Sequence, residues 1–372
     1  MNKAKVAYIV SDIDKALAFE WIADYLHSNI DLFFVIIGIE NSELSKMLAN
    51  KSVRHYVVSD KKFTSNVNKW LEIIKILWKE KPAVVHTHLW RANILGLTAA
   101  WLLRIPKRIY TRHHATIHYR EYPSGLKWDK LCNRLATHIV AISHNVQEIL
   151  TTRDKADCRK IVLIHHGFDF HYFNRVSTER IYALRAKTNL HEKSYPIVGV
   201  ISRYTEWKGV QYIIPAFQEL RRQYSQAHLV LANAHGDYER EIKKLLSNLP
   251  ADSYSQIRFE NDLASLYRVF DIFVHVPTDP HAEAFGQTYI EPLIVGVPCI
   301  FTLSGVAHEF VQHAKNALVV DFKNSEQILA SIRTLLGSET LRSNLVRQGQ
   351  QDISGFSVEE YVKKLENLYL VK

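Results

Sequence analysis

The feature that most constrains this chain is a repeated alternation of short β-rich runs with stretches at helical spacing. In the first half the runs are KVAYIV (5–10), LFFVII (32–37), RHYVV (54–58), AVVH (83–86), RIYT (108–111), HIVAI (138–142) and IVLI (161–164). Apolar runs of this length with little polar alternation suit strands buried on both faces. Between several of them lie amphipathic stretches. In Asn66 to Lys81, Val67, Trp70, Leu71, Ile74, Leu77 and Trp78 recur at helical spacing, and the Trp70/Trp78 stripe reads as core packing. Such alternation predicts an α/β fold with a parallel sheet covered by helices on both faces.

After His171-Tyr172-Phe173-Asn174-Arg175 the pattern loosens. Tyr195-Pro196 then opens a second series, PIVGVI (196–201), HLVLA (228–232), DIFVH (271–275), PCIF (298–301) and ALVV (317–320). Because one core seldom grows beyond roughly 250–300 residues, a chain of 372 residues predicts two domains. The expected division is 1–180, 190–355, and a C-terminal helix in 356–372 that packs back on the first domain, with the linker between about 175 and 195. The last helix, Val358 to Leu370, carries an apolar stripe that must bury against something. The expectation is two doubly wound, Rossmann-like domains facing a central cleft, with ligands at the C-terminal strand ends.

Composition excludes several classes. Three cysteines, Cys132, Cys158 and Cys299, are scattered without CxxC spacing, which argues against a disulfide framework or a zinc cluster and fits a reducing cytoplasm. The N-terminal apolar run is too short for a signal peptide, and Ala92 to Leu103 falls short of the ~20 residues needed to span a bilayer. Charge is uneven: 26 Lys+Arg stand against 16 Asp+Glu through Arg175, and 21 against 22 beyond it. The basic first half predicts an anionic neighbour.

The stretch HAEAFGQTYIE places Glu283 and Glu291 eight positions apart around Phe285-Gly286. It follows a strand and a loop, and Gln287 onward reads as helix, so the amides near Phe285 and Gly286 form a phosphate seat at a helix N-terminus. The flanking acids then grip hydroxyls on either side of a diphosphate, the polarity of a sugar joined to a nucleoside diphosphate. Pro292, near the fourth helical position, predicts a late start or a kink. In ISRYTEWKGV, Arg203 and Lys208 leave a strand end five residues apart, placed to neutralise that diphosphate, and Gly209 allows close packing.

These segments, with HTHLWRAN (86–93), YTRHH (110–114), HIVAISHNV (138–146), HHGFDFHYF (165–173), AHGDYERE (234–241) and EAFGQTYIE (283–291), resemble the retaining glycosyltransferases of the GT-B fold, in the family 4 group. The resemblance implies that Arg203 and Lys208 bind the donor diphosphate and Glu283 the transferred sugar. It also gives the amides around Ala284, Phe285, Gly286 and Gln287 the phosphate, and Glu291 the ribose. His113 would face the reacting sugar, with His114 and Glu20 on the acceptor side. Leu17-Ala18-Phe19-Glu20 stands where the family usually has GGxE in the loop after the first strand, and only the glutamate remains.

Two readings of His113 stand side by side: a neutral imidazole bonded to a sugar hydroxyl, or a buried histidine bonded to backbone. His86 and His88 share a strand face and would suit a metal, yet no carboxylate or cysteine completes the set, so no metal and no cofactor is expected. Asp12-Ile13-Asp14 mimics a manganese motif, with Asp14 equally suited to capping the next helix. Arg104, Lys107, Arg108, Arg112, Arg120, Lys127, Lys130 and Arg134, interleaved with aromatics, suit an anionic membrane or lipid-diphosphate acceptor, or an ordinary solvated surface.

The expected function is transfer of a hexose-type sugar from a nucleoside diphosphate sugar to a hydroxyl of a glycan or lipid-linked acceptor, with retention. The setting is surface polysaccharide, lipopolysaccharide or glycolipid synthesis in the cytoplasm, peripheral to the membrane. A sugar-nucleotide epimerase and a non-catalytic sugar-nucleotide-binding protein are the alternatives. A glycoside hydrolase has no use for the cationic pair, and nucleic-acid binding leaves EAFGQTYIE unexplained.

Overall fold

The computed structural model describes residues 3–26, 30–60, 65–188, 190 and 193–370. The chain divides into two compact units: one runs up to Phe168 and resumes at Phe356, and the other is Asp169–Gly355.

The first unit holds seven parallel strands, β1 (Lys5–Ser11), β2 (Asp31–Gly38), β3 (His55–Ser59), β4 (Val84–His88), β5 (Lys107–Arg112), β6 (His138–Ala141) and β7 (Ile161–Leu163), in the order β3-β2-β1-β4-β5-β6-β7. Strand order reverses between β1 and β4, so His88, the last residue of β4, lies beside the end of β1 at the switch point. The inner strands are nearly all buried because helices cover both faces, and in β2 every residue from Leu32 to Gly38 is buried, whereas the edge strands β3 and β7 are mostly half-buried. The terminal helix Val358–Leu370 belongs to this unit. It buries Val358, Tyr361, Val362, Leu365 and Tyr369, packs on helix Leu17–Leu26, and anchors its end where Lys107 Nζ donates to the Leu368 carbonyl at 2.8 Å.

The second unit holds six parallel strands, β8 (Ile197–Ile201), β9 (His228–Ala232), β10 (Tyr254–Ile257), β11 (Ile272–His275), β12 (Cys299–Phe301) and β13 (Leu318–Val319), in the order β10-β9-β8-β11-β12-β13. Its switch point lies between β8 and β11. The strand β10, reading YSQI, was not anticipated: it is a sheet edge with only Ile257 buried, so it lacks the apolar run that marks the others. The division at Phe168 also falls before the expected window of 175–195. Helix Phe170–Asn174, capped by Asp169, packs on helices Leu263–Arg268 and Glu291–Val295, which draws the start of that window into the second unit.

Helix Asn66–Glu80 corrects another expectation. Its buried face is Lys69, Ile73, Ile76, Leu77 and Glu80, whereas Val67, Leu71 and Trp78 are exposed, Trp78 at 69%. Apolar spacing alone pointed to the wrong face because two charged residues are buried by pairing. Lys69 meets Asp60, and Glu80 takes Lys5 at 3.3 Å, Arg54 at 3.2 Å and the Tyr56 hydroxyl at 2.5 Å. Trp70 is half-buried, its indole N–H donating to Thr98 Oγ1 at 3.0 Å.

Candidate active site

In the second unit, the loops that leave β8 and β11 converge at the switch point. Arg203 follows β8 by two residues and is exposed; the chain then makes a tight turn at Glu206–Lys208. Gly209 closes this turn at φ 76°, and a Cβ there would lie 1.9 Å from the Val276 carbonyl oxygen, so glycine alone lets the loop sit against the end of β11. Lys208 is thereby brought to Glu283, with Nζ 2.5 Å from Oε1, while its ammonium also lies 4.6 Å from the centroid of the Trp207 ring. His275, the last residue of β11, donates Nε2–H to the same Glu283 oxygen at 3.1 Å, and the Glu283 amide donates to Ser304 Oγ at 3.1 Å. Burial by itself pushes the Glu283 carboxyl up, but Lys208 and His275 outweigh it and hold the group down at about 2. His275 Nδ1 is buried without a partner.

Glu291 behaves in the opposite way. It too is buried, and there the Tyr267 hydroxyl donates to its Oε2 at 2.6 Å. Burial pushes its carboxyl up to about 7, against a smaller downward pull from Tyr267. One short element therefore carries a carboxylate kept ionised and another poised near neutrality.

The backbone between these acids differs from the expected helix start. A tight turn at Gln287–Tyr289 precedes a helix of only five residues, Glu291–Val295, so Glu291 is its first residue and Pro292 its second. Pro292 needs no kink there, because an N–H at that position has no intrahelical partner anyway. Gly286 sits at φ 87°, and the first hydrogen bond of the turn, Tyr289 N–H to the Gly286 carbonyl, leaves the Gln287 and Thr288 amides ahead of it. An anion at this position would meet loop amides and Lys208 rather than the dipole of a long helix. Ala284 is half-buried, Phe285 buried and Gln287 exposed.

In the first unit, His113 follows β5 and reaches His88 on β4, with Nε2 3.0 Å from His88 Nδ1. Its ring also stacks on His166, with centroids 5.4 Å apart. Burial pushes His88 and His113 well below the ordinary histidine value, His166 to about 4 and His86 to about 3, so the cluster is neutral. His86 is committed to Tyr369 at 2.5 Å and Thr111 at 2.8 Å, so His86 itself has no free nitrogen with which to share a metal with His88. Among the described residues, the group with metal-ligand spacing is His114, His118 and Asp129. There the carboxylate is already satisfied: His118 Nδ1 lies at 2.6 Å, His114 Nε2 at 3.4 Å, and the Arg112 guanidinium at 3.0 Å.

His113, His114 and His118 line a cavity of about 440 Å³ with Leu89, Trp90 and Tyr122. Glu20 is half-buried in the first turn of helix Leu17–Leu26, not in a loop, and burial raises its carboxyl. Asp12 pairs with Arg91 at 2.9 Å, and Asp14 accepts the Glu43 amide at 3.0 Å, at the start of helix Glu43–Asn50 rather than of the next helix in the chain. Of the basic residues read as a surface, Arg112 is wholly buried between Asp129 and Asp154. Lys107 and Arg108 are half-buried on backbone carbonyls, because strand β5 carries all three into the unit. Arg104, Arg120, Lys127, Lys130 and Arg134 remain exposed. No helix among the described residues is long and apolar enough to cross a membrane.

His275, Tyr267, His118 and Asp129 escaped the sequence reading, and His88 entered it only as a metal-ligand candidate. The available signal was positional: His275 and His88 are each the last residue of a strand at a switch point.

Comparison with known proteins gives a consistent set. Residues 183–352 match the family model described as glycosyl transferases group 1, and residues 39–172 the model described as glycosyltransferase family 4. The capsular polysaccharide biosynthesis glycosyltransferase CapM of Staphylococcus aureus is 25% identical over 82% of this chain and 81% of its own length. The UDP-Gal:alpha-D-GlcNAc-diphosphoundecaprenol alpha-1,3-galactosyltransferase of Escherichia coli is 21% identical over 94% of this chain and 86% of its own. Among solved structures, Anabaena Alr3699/HepE in complex with UDP-glucose superposes with a TM-score of 0.83 at 18% identity, covering 99% of this chain and 100% of that one. The fold is the GT-B fold of such structures.

Proposed function

The chain belongs to the group 1, family 4 glycosyltransferases, and from that premise we propose that it transfers a hexose-type sugar from a nucleoside diphosphate sugar to an acceptor hydroxyl with retention of anomeric configuration. The observation that carries this reading is the Lys208–Glu283–His275 contact at the switch point of the second unit. A diphosphate arriving there draws Lys208 from the carboxylate and frees Glu283 to accept from sugar hydroxyls, with Arg203 and the amides after Gly286 completing the anion site. Breaking the sugar–phosphate bond leaves an oxocarbenium-like sugar and a dianionic leaving group. Lys208 and Arg203 stabilise the charge that grows in that transition state, taking the part a metal ion would play. Glu291 takes the ribose hydroxyls, and the leaving phosphate oxygen receives the acceptor proton on the same face.

His113, neutral and half-buried, faces the reacting sugar, with His114 and Glu20 toward a glycan or lipid-linked acceptor. The relatives named for capsular polysaccharide and for an undecaprenol-linked acceptor support a role in surface polysaccharide or glycolipid synthesis. The exposed cations Arg104, Arg120, Lys127, Lys130 and Arg134 support peripheral attachment to an anionic membrane from the cytoplasm. No nucleic acid is required. The test is a panel of nucleoside diphosphate sugars with glycan and lipid-linked acceptors, with and without chelator, and the product's anomeric configuration read by NMR. Transfer with retention, undiminished by chelator, is expected. An inverted product, or a second epimer of the donor formed without acceptor, would contradict the proposal.

A further inference from the structure

We infer that His88 is a positioning residue that fixes the tautomer of His113, so that His113 presents Nδ1–H as a hydrogen-bond donor to whatever occupies the cavity beside it. The contact between His88 Nδ1 and His113 Nε2, at 3.0 Å, needs one proton shared between two neutral rings. Either His88 donates or His113 does, and the choice fixes where the other proton of each ring sits. Burial keeps both rings neutral, so each carries a single proton.

The deciding atom is His88 Nε2, which is buried and has no hydrogen-bond partner. If His113 were the donor, His88 would carry its proton on that nitrogen, leaving an orphaned N–H against Tyr8, which stacks on the ring at 4.3 Å, and Phe19 at 5.3 Å. Orphaned buried N–H groups are rarer in folded proteins than under-satisfied acceptors. With the proton on Nδ1 instead, His88 donates to His113 Nε2 and the orphan is a bare lone pair. The same solution occurs in the second unit, where His275 must donate Nε2–H to the Glu283 carboxylate and leaves its buried Nδ1 bare.

His113 is then left with its proton on Nδ1 and no free acceptor nitrogen. Its ring lines the cavity bounded by Leu89, Trp90, His114, His118 and Tyr122. The group that meets Nδ1–H must be an acceptor, such as a hydroxyl oxygen, and not an ammonium. That this oxygen belongs to a sugar rests on the transferase reading above; the tautomer does not.

Two-bond 15N–1H correlation spectra of the 15N-labelled full chain at neutral pH decide the tautomer, with signals assigned by their loss in His88→Phe and in His113→Asn. The expected pattern is Nδ1–H with bare Nε2 for both rings. Nε2–H on either ring, or a doubly protonated ring, would overturn the inference. His88→Phe keeps an aromatic ring against Tyr8 and removes the donor. Its His113 signal should move toward a tautomer mixture, with kcat falling ~10-fold, the order of one lost oriented hydrogen bond, and donor KM unchanged. If no sugar transfer is found in the wild type, the transferase reading fails while the spectrum still decides the tautomer.

Discussion

The two switch points of this chain are built from opposite materials. At the end of β4 and β5 the first unit gathers neutral imidazoles, His86, His88, His113 and His166, and keeps its charges behind them in the buried ion pairs of Arg112 with Asp129 and Asp154. At the end of β8 and β11 the second unit puts the charges in the site itself, with Lys208 directly on Glu283. The difference is chemical. A rim of neutral rings suits hydroxyls, which offer both a donor and an acceptor, whereas an ammonium and a carboxylate in contact can each be recruited by a different part of a charged, hydroxylated ligand.

The comparison can be broken most forcefully at Arg112. Arg112→Met leaves Asp129 and Asp154 buried without their cation and should cost ~3–5 kcal/mol in a denaturant titration. A variant as stable as the wild type would show that the first unit does not rest on this network. In the second unit, Lys208→Ala should lower kcat ~10²- to 10³-fold, read in a transfer assay with saturating acceptor. Near-normal turnover would remove the cation from the mechanism.

The two acids sharpen the contrast through pH. Because the folded-state value of Glu291 is raised from 4.5 to about 7, the native state binds the extra proton between those values, and stability contributed by this group falls as pH rises through that window. Glu291→Gln removes the fall, so its melting temperature should exceed that of the wild type at pH 8 and approach it near pH 5. The gain is on the order of a few kcal/mol at ~1.4 kcal/mol per pKa unit. Glu283 has the opposite sign: held at about 2 by Lys208 and His275, it contributes stability above 4.5 that is lost as pH falls toward 2. Equal melting profiles for wild type and Glu291→Gln would refute the assignment. The smallest effect belongs to Trp78→Ser, exposed on helix Asn66–Glu80, which should change stability by no more than ~0.5 kcal/mol in the same titration.

Most of the fold was legible because parallel strands covered on both faces must be continuous apolar runs, and twelve of these recur in the sequence with helical patterns between them. The strand Tyr254–Ile257 was not, since an edge strand needs only one buried side. Helix Asn66–Glu80 misled because its inward face buries Lys69 and Glu80 through partners outside the helix, which periodicity cannot register. The same limit applies to the candidate site. The spacing of Lys208 after Arg203, and of Glu291 after Glu283, marked strand ends and a turn. That His275 joins Lys208 on Glu283, or that Tyr267 meets Glu291, depends on which strands lie side by side. Likewise Arg112 carries the charge of a surface residue in sequence and is buried between two aspartates in space.

The most direct test of the account is calorimetric titration of the full chain with a panel of nucleoside diphosphate sugars, repeated on Lys208→Ala and Trp78→Ser. The account predicts saturable binding of at least one of them, weakened ~10²-fold or more by Lys208→Ala and unchanged by Trp78→Ser. Equal affinity of wild type and Lys208→Ala for that ligand would contradict the claim that the charged pair at the second switch point receives the diphosphate.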